Sequence, residues 1–191
     1  MKTFYTLITI LLLHSSVYSQ TFSQQLSTSA ISLTKVDVEY DPSYFSIAYP
    51  NGDIPKGKGV CTDVVIRAYR ELGIDLQKEV HEDMKANFEK YPKNWGLKTT
   101  DRNIDHRRVP NLRKFFERNN ASISVTDKPK DYLPGDVVTW NLGRGITHIG
   151  IVIDEKTLFS KTPLIVHNIG AGQVKEDCLF KFEITGHYRY K

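Results

Sequence analysis

The chain carries two cysteines, Cys61 and Cys178, and six histidines, and the surroundings of Cys61 are those of a reactive thiol. It opens a run in which Val64, Val65, Ala68, Tyr69 and Leu72 recur at helical spacing, while Asp63, Arg67, Arg70 and Glu71 take the opposite face. Gly73 is a stop signal. The spacing therefore predicts a helix over 61–72 with the cysteine at its N-terminal end, on the stripe that Val64 and Val65 bury. Unpaired amides and the helix dipole favour a thiolate there, and such placement lowers a cysteine pKa below its usual ~8.5. Two other roles are open to the same residue: a small buried hydrophobe, or one end of a Cys61–Cys178 disulfide, although small exported domains that depend on disulfides usually carry more cysteines.

The partner for a thiol is an imidazole. Pro134-Gly135-Asp136 turns into a β-prone run at Val137–Trp140, and Thr147-His148-Ile149-Gly150-Ile151-Val152-Ile153 reads as the next strand. In a strand His148, Gly150 and Val152 share one face and Ile149, Ile151 and Ile153 the other. The gap at Gly150 reads as room for the helix end to approach the histidine. Pairing 149–153 with 164–166 around a loop at 154–162 sets His148 directly opposite His167, with Cβ atoms about 5 Å apart. A second ring there holds the base in one tautomer, as the third member of a triad does. Asn168 points to the other face and ranks second for that role.

The chemistry this predicts is acyl transfer, with Cys61 as nucleophile, His148 as base and His167 as its orienting partner. The Cys61 amide is the leading oxyanion donor, with the Tyr49 hydroxyl beside it. Tyr49, Asp63, Asn168 and Arg107 are the candidate substrate contacts. An arginine at 107 or 108 presents paired donors to a carboxylate, or else pairs within the loop with Asp101 or Asp105. His81-Glu82-Asp83 has Lys85 where a helical zinc motif needs its second histidine; Asp105-His106 with His81 and Asp83 offers a mixed oxygen/nitrogen site as a minor alternative, and neither metal nor cofactor is expected. Trp95 and Trp140 are candidates to line a groove, although large aromatics more often read as core, and His187 reads as edge packing.

These side chains need a frame. Residues 22–34 form a modestly amphipathic helix, 41–60 are loop and turn chemistry rich in proline and glycine, a second helix covers 79–90, and a third runs from Pro110 to Arg118. Short strands follow at 137–140, 149–153, 164–166, 179–182 and 187–190. Helices first and strands afterwards predict an α+β fold, with the nucleophile helix packed on a C-terminal antiparallel sheet. Lys2, an apolar run of about ten residues and small residues to Ser19 predict a cleavable secretory signal over 1–19, and half the length a membrane span requires. One domain over 20–191 follows, in the periplasm or outside the cell, with no stable membrane insertion. The formal charge of +4 is spread along the chain and gives no nucleic-acid footprint.

Tyr49-Pro50-Asn51-Gly52 through Gly59-Val60-Cys61, the Pro-Gly-Asp strand, the His-Ile-Gly-Ile strand and His167 resemble, in order and spacing, the NlpC-type cell-wall cysteine peptidases. The resemblance implies a papain-like fold and cleavage of amide bonds in peptidoglycan stem peptides, making peptidoglycan or its peptide fragments the partner. Val60-Cys61-Thr62 stands where that group has Asp-Cys-Ser, which marks a remote relative. A longer resemblance runs through Gly59–Arg70, Val80–Met84, Asn103–Leu112, Val166–Gly170 and Gly186–Tyr190 to the bacterial exported family known as domain of unknown function 1287. Two alternatives stay open at this point: acyl chemistry on a lipid or ester, and a non-catalytic wall-binding domain with Cys61 tied to Cys178.

Overall fold

The computed structural model describes residues 20–191; the signal segment expected at 1–19 lies outside the described residues. Helix α1 (Phe22–Leu33) starts at Thr21, whose side chain and that of Gln24 cap each other's backbone. Strands β1 (Glu39–Tyr40) and β2 (Lys58–Gly59) form a short parallel pair. Helix α2 (Cys61–Glu71) follows directly, then α3 (Leu76–Ala86) and α4 (Val109–Arg118), the last with Pro110 in its first turn. The second predicted helix thus begins and ends earlier than its apolar pattern suggested, because Asp75 caps it and Asn87 ends it.

Strands β3 (Ser122–Ile123), β4 (Val137–Asn141), β5 (Thr147–Lys156), β6 (Pro163–His167), β7 (Val174–Glu176) and β8 (Glu183–Tyr188) make an antiparallel sheet in the order β3-β8-β4-β5-β6-β7. The architecture is α+β, with the cysteine helix on the sheet. The strand expected at 179–182 is instead a turn. Leu179 is buried because this turn folds under the sheet, where its carbonyl accepts from the Trp140 indole (2.9 Å). The sheet uses 174–176 and 183–188 in place of that strand.

Each face of the sheet has its own core. Ile149, Ile151, Ile153, Val137 and Val166 pack with α1, α2 and α4 through Leu26, Val64, Val65, Leu112 and Phe116. Val138, Trp140, Val152 and Ile165 pack on the far face with Tyr132, Cys178 and Leu179. The alternation read from the sequence holds, but the helix takes the isoleucine face. The gap at Gly150 belongs to the neighbouring strand: a Cβ there would lie 2.6 Å from Ile165 Cγ2 and 3.1 Å from His167 Cβ. Glycine lets β6 approach, not the helix.

The register also differs from the expected one. Ile151 pairs with Val166 and Val152 with Ile165, so His167 lies beside Gly150 rather than opposite His148. A bulge between Val152 and Lys156 absorbs the shift, and Pro163 opens β6 paired with Lys156. A slip of two residues preserves the face, so both histidines still lie on the same side and reach each other diagonally.

Candidate active site

Local bonding fixes where Cys61 begins its helix. The Asp63 carboxylate accepts from the Val60 amide (2.7 Å), closing one orphan donor of the first turn. Tyr40 on β1 pairs with Gly59, and the Asn168 amide donates to the Gly59 carbonyl (3.2 Å). The turn before the cysteine is thus held from two sides. Cys61 is buried, yet it lines a groove of about 470 Å³ together with Tyr40, Tyr44, Trp95, Arg107, Arg108 and Thr147.

The sulfur meets the main chain of β5. Burial pushes the Cys61 thiol up to about 12; the amides of Ile149, Thr62 and Cys61 itself act in the opposite direction, and Asp63 adds to the rise. The thiolate expected from the helix start is therefore not the resting form: desolvation outweighs the few amides turned towards the sulfur. Ile149 directly follows His148 in the chain, but their side chains take opposite faces of β5: Ile149 packs with Cys61 on the helix side and His148 with Trp140 on the far side, and sulfur and imidazole make no hydrogen bond.

His148 lies with Trp140 on the far-face side, ring centroids 5.8 Å apart. Its Nε2 faces His167 Nδ1 at 2.8 Å, and His167 Nε2 faces Glu176 Oε2 at 3.0 Å. The proton positions follow from the end of this chain. Lys181 donates to Glu176 Oε1 (2.9 Å) and, with His167, holds the Glu176 carboxyl below its ordinary value. An ionised carboxylate only accepts, so His167 Nε2 carries the hydrogen and its Nδ1 a lone pair. His148 must then donate from Nε2. Burial draws His148 down to about 3, with His167 adding to the effect, and burial lowers His167 as well. Both rings are neutral. His148 Nδ1 is left as a bare acceptor with no hydrogen-bond partner among the described residues.

The remaining expected contacts divide. Tyr49 is not in the groove; its ring packs edge-on against His81 at 5.3 Å, because the loop carrying it is tied to α3 through Gln77 and Asp75. The phenol beside the sulfur is Tyr40, raised above its ordinary value by burial, then by Cys61 and Asp63. No motif marks it: it comes from a two-residue strand far upstream. Asp63 and Arg107 are buried and bond each other at 2.9 and 3.1 Å, so the arginine's partner is neither Asp101 nor Asp105. Arg107 also donates to the Ser43 carbonyl (3.0 Å). Asp63 and Asn168 shape the turn at Cys61, and only Arg107 of these lines the groove.

The two tryptophans divide between the two readings: Trp140 is core, and Trp95 stands 61% exposed at the groove. His187 is buried and bonded to Asp136, deeper than edge packing implies. Glu176 was missed, although the glycines at 170 and 172 signal the hairpin that returns it to His167.

Both cysteines are free. Cys61 belongs to the helix-side core and Cys178 to the far-side core, which corrects the disulfide alternative. Cys178 Sγ lies 3.9 Å from His167 Nε2, and His167, Glu176 and Cys178 bring ligand atoms within 4.8 Å of one another, close enough to hold a metal ion. The corresponding option at His81 and Asp83 is used otherwise: Asp83 binds Arg118 and Tyr91. Among the described residues no helix is long and apolar enough to cross a membrane.

Comparison with known proteins gives the following. The chain is 53% identical over 153 residues to the uncharacterized protein YijF of Escherichia coli K12, covering 79% of this chain and 73% of that one. Similar solved structures are NlpC1 of Trichomonas vaginalis (12% identity, TM-score 0.47, 88% of this chain) and an N-acetylmuramoyl-L-alanine amidase of Bacteroides uniformis (16%, 0.48, 88% of this chain and 99% of that one). The chain spans 44% of NlpC1's length. The family model for domain of unknown function 1287 matches residues 27–190, and with most of its length so matched the chain belongs to the DUF1287 family.

Proposed function

We propose that this protein is an exported cysteine hydrolase that cleaves amide bonds in peptidoglycan stem peptides. The observation that carries the reading is the polarised series Glu176–His167–His148, which leaves one imidazole nitrogen without a partner on the strand whose Ile149 amide meets the thiol at the start of α2. In the proposed cycle Cys61 gives its Sγ proton to His148 Nδ1 as the sulfur attacks the substrate carbonyl. The tetrahedral oxyanion is held by the Cys61 amide and the Tyr40 hydroxyl. His148 returns the proton to the leaving amine, the C–N bond breaks and a thioester forms. Water, deprotonated by His148, then cleaves the thioester and restores the thiol. A thiol and an imidazole that are both neutral at rest fit general-base catalysis, in which charge develops only during attack. His167 and Glu176 act as positioning residues, stabilising the imidazolium that forms transiently.

The substrate class rests on the NlpC-type motifs around Cys61 and His148, and export on the character of residues 1–19. Digestion of purified sacculi followed by chromatography of released fragments tests the reading. Wild-type protein is expected to release peptide fragments and Cys61→Ala to release none. Equal release by Cys61→Ala removes the nucleophile assignment. Release of acyl chains from lipid, with none from sacculi, replaces the substrate.

A further inference from the structure

Two adjacent arginines border the groove, and their surroundings are opposite. Arg107 is buried, and its guanidinium is filled by Asp63 and by main-chain carbonyls. The Arg108 guanidinium has no hydrogen bond or ion pair among the described residues, and its Nη1 is buried without a partner. It lies over the face of Trp95, 4.3 Å from the ring centroid, and both residues line the groove that holds Cys61.

From this we infer that Arg108 binds a free carboxylate on the substrate, so that the bond cut is an amide flanked by an acidic group. The inference rests on the hydrolase reading and names the substrate chemistry of that site. Burying guanidinium donors without acceptors is unfavourable unless a ligand supplies them, and the planar fork matches a carboxylate with two parallel bonds. The charge count agrees. The groove is lined by two arginines and by no acidic residue; Asp63 is bonded to Arg107, whereas Asp105 acts on Arg108 only at Coulombic range, without a hydrogen bond or ion pair. Asp105, three residues before Arg108, does not fill the role: one of its oxygens accepts from the Asp101 amide (2.6 Å), and the other is itself buried and unpartnered.

Trp95 supports the arrangement at a conformational cost. It has φ 61° and ψ 22°, a region unfavourable for a bulky side chain by about 1–3 kcal/mol. Its indole is largely exposed rather than packed in a core. A ring held this way serves as a platform that fixes the guanidinium plane by cation–π contact.

The test compares two stem tetrapeptides that differ only in whether the carboxyl beside the scissile amide is free or converted to a carboxamide. Wild-type kcat/KM is expected to favour the acid by about 10- to 100-fold. In Arg108→Gln that ratio collapses towards one, mainly through KM, and Arg108→Lys retains part of it because charge survives without the fork. A loss equal for both peptides, or no loss, overturns the assignment and leaves Arg108 a structural residue. Binding to the Cys61→Ala protein, read by Trp95 fluorescence, separates this from failure of the hydrolase reading. If wild-type protein cuts neither peptide, Arg108-dependent preference for the acid still supports the site, and equal binding of both peptides overturns it.

Discussion

Two buried imidazole–carboxylate clusters lie on the far face of the sheet, and they differ in one respect. His187 has both ring nitrogens occupied, Nε2 by Asp136 (2.7 Å) and Nδ1 by the Ser124 carbonyl (3.3 Å), with Tyr132 stacked on the ring at 4.3 Å. Asp136 is itself completed by Arg189 and by the Leu133 amide. This cluster is closed, and it joins the turn before β4 to the C-terminal strand. The His148–His167–Glu176 series is completed only at one end. Its last nitrogen, His148 Nδ1, is unpaired at the start of β5. The same residue types build a brace when every polar atom is satisfied, and leave a free acceptor, the proposed base, when one is not. Arg107 and Arg108 repeat the contrast within two consecutive residues.

The comparison is sharpest if the two clusters fail differently. The largest effect is expected from His148→Ala, which should lower kcat/KM on wall peptides by about 10³-fold or more while lowering unfolding stability by only about 1–3 kcal/mol for the lost His167 bond. A collapse of stability with the activity would make this cluster a brace as well. Asp136→Ala should do the reverse: with the Arg189 and His187 donors left unpaired, unfolding stability should drop by about 3–5 kcal/mol, measured by urea titration. Glu176→Gln is milder and more specific. Its carboxamide can donate to His167 Nε2, reversing both tautomers and placing a hydrogen on His148 Nδ1. A fall of about 10-fold in kcat with little change in KM is expected; unaltered kcat would remove Glu176 from the relay.

The histidines also set an acid limit. His106 and His148 are each drawn from 6.5 to about 3, chiefly by burial. Their folded pKa lies below the unfolded one, so the unfolded state binds more protons on acidification. The stability they contribute is complete above about pH 6.5 and is lost as pH falls towards about 3, by at most about 1.4 kcal/mol per pH unit for each group. Asp105, pushed up from 3.8 to about 6 by burial, works in the opposite sense between those values and offsets part of the loss. Thermal melts between pH 7 and pH 4 check this, and His106→Phe should flatten the profile. The smallest effect concerns the thiols: both should alkylate slowly in native, unreduced protein, faster as pH rises. Label that appears only after reduction would show a disulfide.

Much of the framework was legible along the chain. The 3.6-residue pattern after Cys61, the alternation through 147–153 and the Pro-Gly-Asp turn are local signals, and each produced its expected element. The face shared by His148 and His167 was legible too, since a two-residue slip in register leaves parity unchanged. Other features were not local. The apolar residues of 179–182 suit a strand or a buried turn equally well, and a glycine gap beside His148 does not say whether a helix or the next strand fills it.

By itself the sequence determined the α+β order, the helix-terminal cysteine and the strand-borne histidine, because capping, periodicity and pleat act over a few residues. Only the tertiary structure decided which phenol stands beside the sulfur, that Glu176 completes the histidine series, that the thiol rests protonated, and which arginine keeps its donors open. Each of these depends on desolvation or on pairing between segments distant in the chain. Such pairing is a property of the packed molecule: a buried polar group takes whatever partner the fold brings to it, and Arg107 and Arg108 cannot be told apart until Asp63 has chosen one of them.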